Sequence, residues 1–287
     1  MKVGVIGAGA WGTALAILLA KGGNDVTLWS FDSKCKSFDN VAMPSNLVVT
    51  TNMSDLKNTD TWLIVTPSSF FEQTIRKATE FYRNQPIIIC TKGADEKTGK
   101  FMSEIVCDEI PNVSHLGVLS GPQFAAEVAQ GFPTGSTIAG DKTIFEIGHI
   151  ALKNLYLSES EDIIGTQMCG VGKNAVALIA GYNSVAASGE NERALLFTRA
   201  WGEVIKIGCA MGAKIETFCD LCGVGDLFLS ATSETSRNFS GGMALAKGQE
   251  MLGTVEGVFA LNVLISRAND LGVDTPVLKQ MQKKIKL

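Results

Sequence analysis

A short apolar run, KVGVI over residues 2–6, ends in GAGAWG, and the helical stretch TALAILLAK follows at once. No other feature constrains the fold as tightly. The first glycine, Gly7, permits a tight turn, Gly9 lets the backbone approach a pyrophosphate, and Gly12 allows close contact between helix and sheet. A helix opening near Ala10 presents unpaired N–H groups to an anion. A lone GxGxxG is weak, but here a strand precedes it, a helix follows it, and a Gly-Gly turn leads to a second strand, VTLWS. That is the βαβ setting in which the pattern binds a dinucleotide. NAD and NADP are usually told apart at the end of the second strand. The sequence there is WSFDSKCK. Asp32 would favour NAD, Lys34 or Lys36 would accept the extra phosphate of NADP, and Phe31 would stack on adenine. The choice stays open.

Further strands read as TWLIVT (61–66), PIIIC (86–90), HLGVL (115–119) and GSTIA (135–139), with helical stretches such as FFEQTIRKATEFY and FMSEIVCDEI between them. Apolar strands alternating with helices predict a parallel sheet covered on both faces. Residues 33–52 have no clear periodicity. After about Ser158 long helical stretches dominate, roughly 166–187, 190–211, 241–249 and 255–271. The expected architecture is an α/β Rossmann-type nucleotide-binding domain over 1–158, followed by a mainly α-helical substrate domain over 159–287.

Composition narrows the function classes. The formal net charge is −4, and no basic cluster is longer than the MQKKIK near the C-terminus. Nucleic acid is therefore not expected as a partner, because backbone recognition needs a concentrated positive surface. Among the seven cysteines only Cys219 and Cys222 lie close together, and there are two histidines. That is not a zinc spacing, and the scattered thiols suit a reduced, cytoplasmic protein with no metal. The N-terminus reaches glycine too early for a secretory segment, and no window offers 18 unbroken apolar residues, so no membrane span is expected.

Lys173 is the only charged residue between Ile163 and Gly189. Alanines and glycines around it imply closely packed backbones, and a buried, unpaired ammonium is costly. It pairs with an acid, snorkels to solvent or meets a ligand. Asn174 beside it adds a donor and an acceptor. Lys92, in TKG after the strand PIIIC, sits where parallel sheets bind ligands, and SGP (120–122) ends the next strand in the same way. Asp226, in GVGDLFL, reads either as a helix N-cap or as a site residue. Arg237 and Asn238, in SRNFSGG, suit a phosphate. Together these groups describe a dehydrogenase site, with a lysine handling the proton on the substrate oxygen. His115 and His149 read as structural or surface residues.

Taken together, the segments GAGAWGTALA, VTLW, TKG, LSGPQFAAEVA, GVGKNAVALIAG, ENERALLFTRAWGE, GVGDLFLSATS, SRNFSGG and VEG resemble NAD(P)-dependent glycerol-3-phosphate dehydrogenases of the bacterial type. The resemblance implies interconversion of sn-glycerol 3-phosphate and dihydroxyacetone phosphate, a small phosphorylated three-carbon substrate pair, in support of phospholipid synthesis. It implies Lys173, Lys92 and Asp226 as catalytic residues. Substrate contacts would come from Lys92, Gly121, Gln123, Asp226, Ser236, Arg237 and Asn238. The NAD or NADP contacts would come from Gly7, Gly9, Ala10, Trp11, Gly12, Phe31, Lys92, Ala125, Arg237 and Glu256. Departures from the family pattern are Gln123 in place of a serine, Phe31 in place of Arg or His, a shorter FDNVAMPSN segment, and Gly172 just before the lysine. Two rival readings stand beside it: another Rossmann dehydrogenase acting on a 2-hydroxy or sugar acid, and a catalytically inactive dinucleotide sensor. The oligomeric state, with a homodimer as one outcome, is left open.

Overall fold

The structure, a computed structural model, describes residues 1–251, 253 and 255–285. The last residues of the basic MQKKIK stretch and of the domain expected over 159–287 lie outside the described residues. The chain divides into two compact units, Met1–Asp95 with Lys100–Ile163, and Glu96–Gly99 with Ile164–Leu287.

The first unit is built on eight strands: β1 (Lys2–Ile6), β2 (Asp25–Trp29), β3 (Leu47–Thr50), β4 (Thr61–Ile64), β5 (Ile87–Ile89), β6 (Leu116–Ser120), β7 (Gly135–Ala139) and β8 (Tyr156–Ser160). Their order is β3-β2-β1-β4-β5-β6-β7-β8, so the direction of winding reverses between β1 and β4. Val3 sits between Val26 of β2 and Thr61 of β4 in parallel register. Successive side chains of a strand point to opposite faces, and both faces here are apolar. Val3, Val5, Leu63, Val65, Ile88 and Leu119 enter one core. Their neighbours Ile6, Trp62, Ile64, Ile87, Ile89 and Val118 enter the other. Helix α1 (Ala10–Lys21) covers the first face and α2 (Ser68–Ala78) and α3 (Met102–Glu109) the second. The short α4 (Ala125–Gln130) and α5 (Lys142–Ala151) add Val128, Ala129, Ile144 and Ala151 to the first core.

Three features depart from the sequence-based reading. β7 runs antiparallel to β6. Only a six-residue helix lies on that connection, too little for the usual crossover to a parallel strand. β3 emerges from the unperiodic segment 33–52, and β8 ends the sheet beyond β7. Both are edge strands of mixed exposure, LVVT and YLSES, without the continuous apolar run that marks a central strand. Because β8 reaches Ser160, the passage to the second unit falls at Ile163, past the boundary expected at Ser158.

The second unit contains α6 (Ile163–Ala186), α7 (Glu190–Ala210), α8 (Asp226–Thr232), α9 (Arg237–Ala246), α10 (Glu256–Asp270) and α11 (Pro276–Ile285). By length and composition α6 could cross a membrane, but 78% of its apolar window is buried inside the protein, as in the core helix of a globular unit. Neighbouring helices approach it where it lacks side chains. A Cβ at Gly172 would strike Val204 of α7, and one at Gly181 would strike the Phe239 carbonyl of α9. From the other side, a Cβ at Gly257 of α10 would lie 2.5 Å from the Asn174 carbonyl oxygen. Gly172, the local departure from the family pattern, is thus a seat for Val204. Glu203 of α7 is buried and accepts the N–H groups of Val277 (2.9 Å) and Leu278 (3.0 Å), which open α11. It serves as a cap supplied from another helix.

Candidate active site

In the first unit the turn between β1 and α1 is shaped by its glycines. Gly7 has φ of +117°, and a Cβ there would lie 2.9 Å from the backbone of Val65 and Thr66. A Cβ at Gly12 would drive into the Gly7 carbonyl oxygen. Gly9 differs, since a Cβ on it would meet nothing within 4 Å. Gly9 and Ala10 are exposed, and no side chain caps α1. The first return bond runs from Thr13 N to Gly9 O at 2.9 Å. The amides of Ala10, Trp11 and Gly12 therefore have no carbonyl one turn back, and the positive end of the helix faces the opening. Trp11 Nε1 is buried without an acceptor. These residues fit the pyrophosphate of a dinucleotide, and the open Gly9 is the space its approach requires.

Beyond β2, Phe31 is 81% exposed, with the Lys77 ammonium 5.9 Å from its ring centre. Asp32 Oδ1 accepts from Lys34 N (3.2 Å) and Ser30 Oγ (3.3 Å), so one of its oxygens is spent on its own turn. Lys34 and Lys36 are exposed. An acid and two ammonium groups thus share this short segment, and it suits neither NAD nor NADP alone.

At the carboxyl ends of β5 and β6, Lys92 Nζ donates to the Gly121 carbonyl oxygen at 2.8 Å. A side chain at Gly121 would press on Gly135 O and Ser136 Cα, at 2.6 and 2.7 Å. Both amide atoms of Gln123 are buried without partners, as are Ser120 Oγ and, after β4, Thr66 Oγ1. Buried polar groups are nearly always satisfied in folded proteins, and orphans at strand carboxyl ends mark ligand-facing positions. Ala125 opens α4 directly after them. Burial pushes the neighbouring Cys90 thiol well up, against the opposing charge of Lys92, so it stays protonated and unreactive.

In the helical unit, Lys173 of α6 pairs with an acid, the first of the alternatives its sequence allowed. Its Nζ lies 3.0 Å from Asp226 Oδ1 and 2.9 Å from Ser230 Oγ, with side-chain exposures of 13% for Lys173 and 1% for Asp226. Ser230 Oγ also approaches Asp226 Oδ1 at 3.4 Å. Asp226 is not an N-cap: it is the first residue of α8, Gly225 holds the cap position, and the carboxylate is turned to the lysine. A π-helical turn over Leu221–Gly225 delivers it, and Gly223 admits the Phe218 carbonyl against that turn. An ammonium has three N–H donors. Two meet Asp226 and Ser230, which leaves one for a substrate oxygen. Ser230 was not singled out from sequence. Its place one helical turn after Asp226 becomes a signal only once α8 is known.

Asn174, next in the chain, belongs to a second set of polar groups. Its Nδ2 donates to Glu256 Oε2 (3.1 Å), and its Oδ1 accepts from Asn238 Nδ2 (2.9 Å). Asn238 Oδ1 accepts from Gly257 N at 2.8 Å. Ser236 Oγ caps α9 by accepting from Phe239 N. Arg237 stands 69% exposed, with Nη2 3.9 Å from Glu256 Oε1. Of the SRN triplet, Ser236 and Asn238 therefore have structural partners, and the arginine is the group open to an anion. The histidines form surface pairs, His115 with Asp141 and His149 with Glu159, each at 2.6 Å. Among the described residues no His, Cys, Asp and Glu cluster could hold a metal ion. Cys222 is buried and Cys219 exposed, and neither is in a disulfide.

A sheet that reverses its winding beside a glycine turn, followed by a helical unit with a buried lysine, defines the class of two-part NAD(P)-dependent dehydrogenases. Family models for the N-terminal and C-terminal parts of NAD-dependent glycerol-3-phosphate dehydrogenase match residues 2–145 and 162–286. The chain belongs to that family. It is 34% identical to a glycerol-3-phosphate dehydrogenase [NAD(P)+] of Erythrobacter litoralis, over 99% of this chain and 92% of the relative. The crystal structure of a glycerol-3-phosphate dehydrogenase from Coxiella burnetii superposes with a TM-score of 0.88 at 30% identity, covering 97% of this chain and 92% of that one. A glycerol-3-phosphate dehydrogenase of Saccharomyces cerevisiae, 22% identical, shares the fold with a TM-score of 0.84 over 99% of this chain and 95% of its own.

Proposed function

We propose that this chain interconverts sn-glycerol 3-phosphate and dihydroxyacetone phosphate with NAD(H) or NADP(H), in the cytoplasm, as a source of glycerol 3-phosphate for phospholipid synthesis. The observation that carries the reading is the geometry of Lys173, an ammonium held by one buried carboxylate and one hydroxyl with a donor to spare. Gly7, Gly9, Ala10, Trp11 and Gly12 would hold the dinucleotide phosphates and Phe31 its adenine, with Ala125 and Glu256 as further cofactor contacts. When bound, the dinucleotide supplies or accepts the hydride. Lys173 gives its proton to the C2 oxygen in reduction and takes it back in oxidation. Asp226 keeps that ammonium aimed, with Ser230 as a positioning hydroxyl. Arg237 grips the substrate phosphate through its planar fork, helped by Ser236 and Asn238. Lys92 orients the substrate and meets the cofactor, and Gly121 and Gln123 complete the substrate contacts with backbone and amide groups.

Oxidation of NADH and NADPH, followed in parallel with dihydroxyacetone phosphate and with a panel of 2-keto acids, tests this. Turnover with dihydroxyacetone phosphate should exceed that with every 2-keto acid. A preference for a keto acid would assign the chain to another dehydrogenase activity. Dinucleotide binding without any turnover would make it a sensor.

A further inference from the structure

Beyond Lys92 the chain doubles back on itself. Ala94 and Phe101 form an antiparallel bridge, and Asp95 N donates to Lys100 O at 2.9 Å. Gly93 (φ +119°) and Gly99 (φ +67°) take the left-handed conformations this fold-back needs. The base of the hairpin is tied by Lys92 to the Gly121 carbonyl and by Lys100 to Asp108 Oδ2 at 2.7 Å. Its tip, Glu96–Gly99, clusters with the helical unit although the residues flanking it cluster with the other. At the tip, Nη2 of the half-buried Arg267, on α10, donates to Gly99 O at 2.8 Å.

An isolated hairpin of this size is marginal in water, so what grips its ends decides its shape. Gly99 O cannot shift far without disturbing the Ala94–Phe101 bridge, and that bridge adjoins Gly93 and Lys92. We propose that Arg267 is a positioning residue for Lys92, holding the hairpin so that the lysine's ammonium stays where the substrate needs it. This rests on the assignment of Lys92 to the substrate. The planar fork suits a carbonyl held at a fixed angle, and a lysine would hold it as a looser point charge.

The test compares Arg267→Ala, Arg267→Lys, Lys92→Ala and the double variant Lys92→Ala/Arg267→Ala, with dihydroxyacetone phosphate as substrate. Losing a charge-assisted bond that acts through position should raise KM about tenfold in Arg267→Ala. In that variant kcat should change less than about threefold. Arg267→Lys should recover part of the loss, and hydrogen exchange at the amides of residues 94–101 should speed up in Arg267→Ala. In the Lys92→Ala background, removing Arg267 should alter kcat/KM by less than about twofold, because the two residues then act through one group. A wild-type KM in Arg267→Ala, unchanged exchange, or an equal KM rise in both backgrounds would overturn the proposal while leaving the functional reading intact. A wild-type protein inert toward dihydroxyacetone phosphate would instead remove the functional reading, and this inference with it.

Discussion

Glycine does opposite things in the two units. In the turn after β1, Gly9 faces open space, and a methyl group there would touch nothing within 4 Å. Within the helical unit several glycines instead lie against neighbouring atoms, as where Gly242 of α9 meets the Leu178 carbonyl of α6. The first vacancy has room for a ligand, and contacts of the second kind let helices close on one another. That close approach is what buries Lys173 and Asp226, and a buried charge must be paired. The lysine that looked anomalous in sequence thus follows from the small residues around it. They create the dry setting, and the setting demands the aspartate.

Two substitutions probe the contrast. Gly242→Ala carries the larger effect, because its Cβ would collide with the Leu178 carbonyl and lie 2.6 Å from Tyr182 N. Backbone atoms cannot step aside as a flexible side chain can, so the cost should reach about 3 kcal/mol. A fall in Tm of roughly 6–12 °C, read by calorimetry, is the expected result. A Tm within a degree of wild type would mean that the helices are not locked at this position. Gly9→Ala should leave Tm nearly unchanged, since Gly9 has φ of −66° and open surroundings. Its methyl would stand in the anion's place, and the Kd for NADH and NADPH should rise about tenfold or more. Unaltered binding would show that the open space is not the phosphate seat.

Much of this was legible in the sequence because it is local. The strand, glycine turn and helix at residues 2–21 follow from contiguous spacing, and Lys173 stood out as one charge in an apolar run. Its pairing with Asp226 was not legible in local spacing: Asp226 lies far along the chain and read either as a helix cap or as a site residue, and only the family resemblance set it beside the lysine, to which packing shows it turned. Ser230 was hidden for the same reason. The edge strands β3 and β8 lack a buried apolar run, since each is half exposed, and the antiparallel sense of β7 depends on the length of a connection and not on its own residues. Glu203, one of three glutamates on α7, carries no local sign that it caps α11.

The central claim is that Lys173, held by Asp226 and Ser230, moves the proton on the substrate oxygen. Lys173→Ala bears on it most directly, assayed for NADH and NADPH oxidation with dihydroxyacetone phosphate beside a direct measurement of dinucleotide binding. Because the substitution leaves Asp226 buried without its cation, Lys173→Met/Asp226→Asn serves as the companion that keeps the fold. Both proteins should bind dinucleotide as the wild type does, and turnover should fall by about 10²–10⁴-fold. Turnover within a few-fold of wild type in either folded variant would contradict the account.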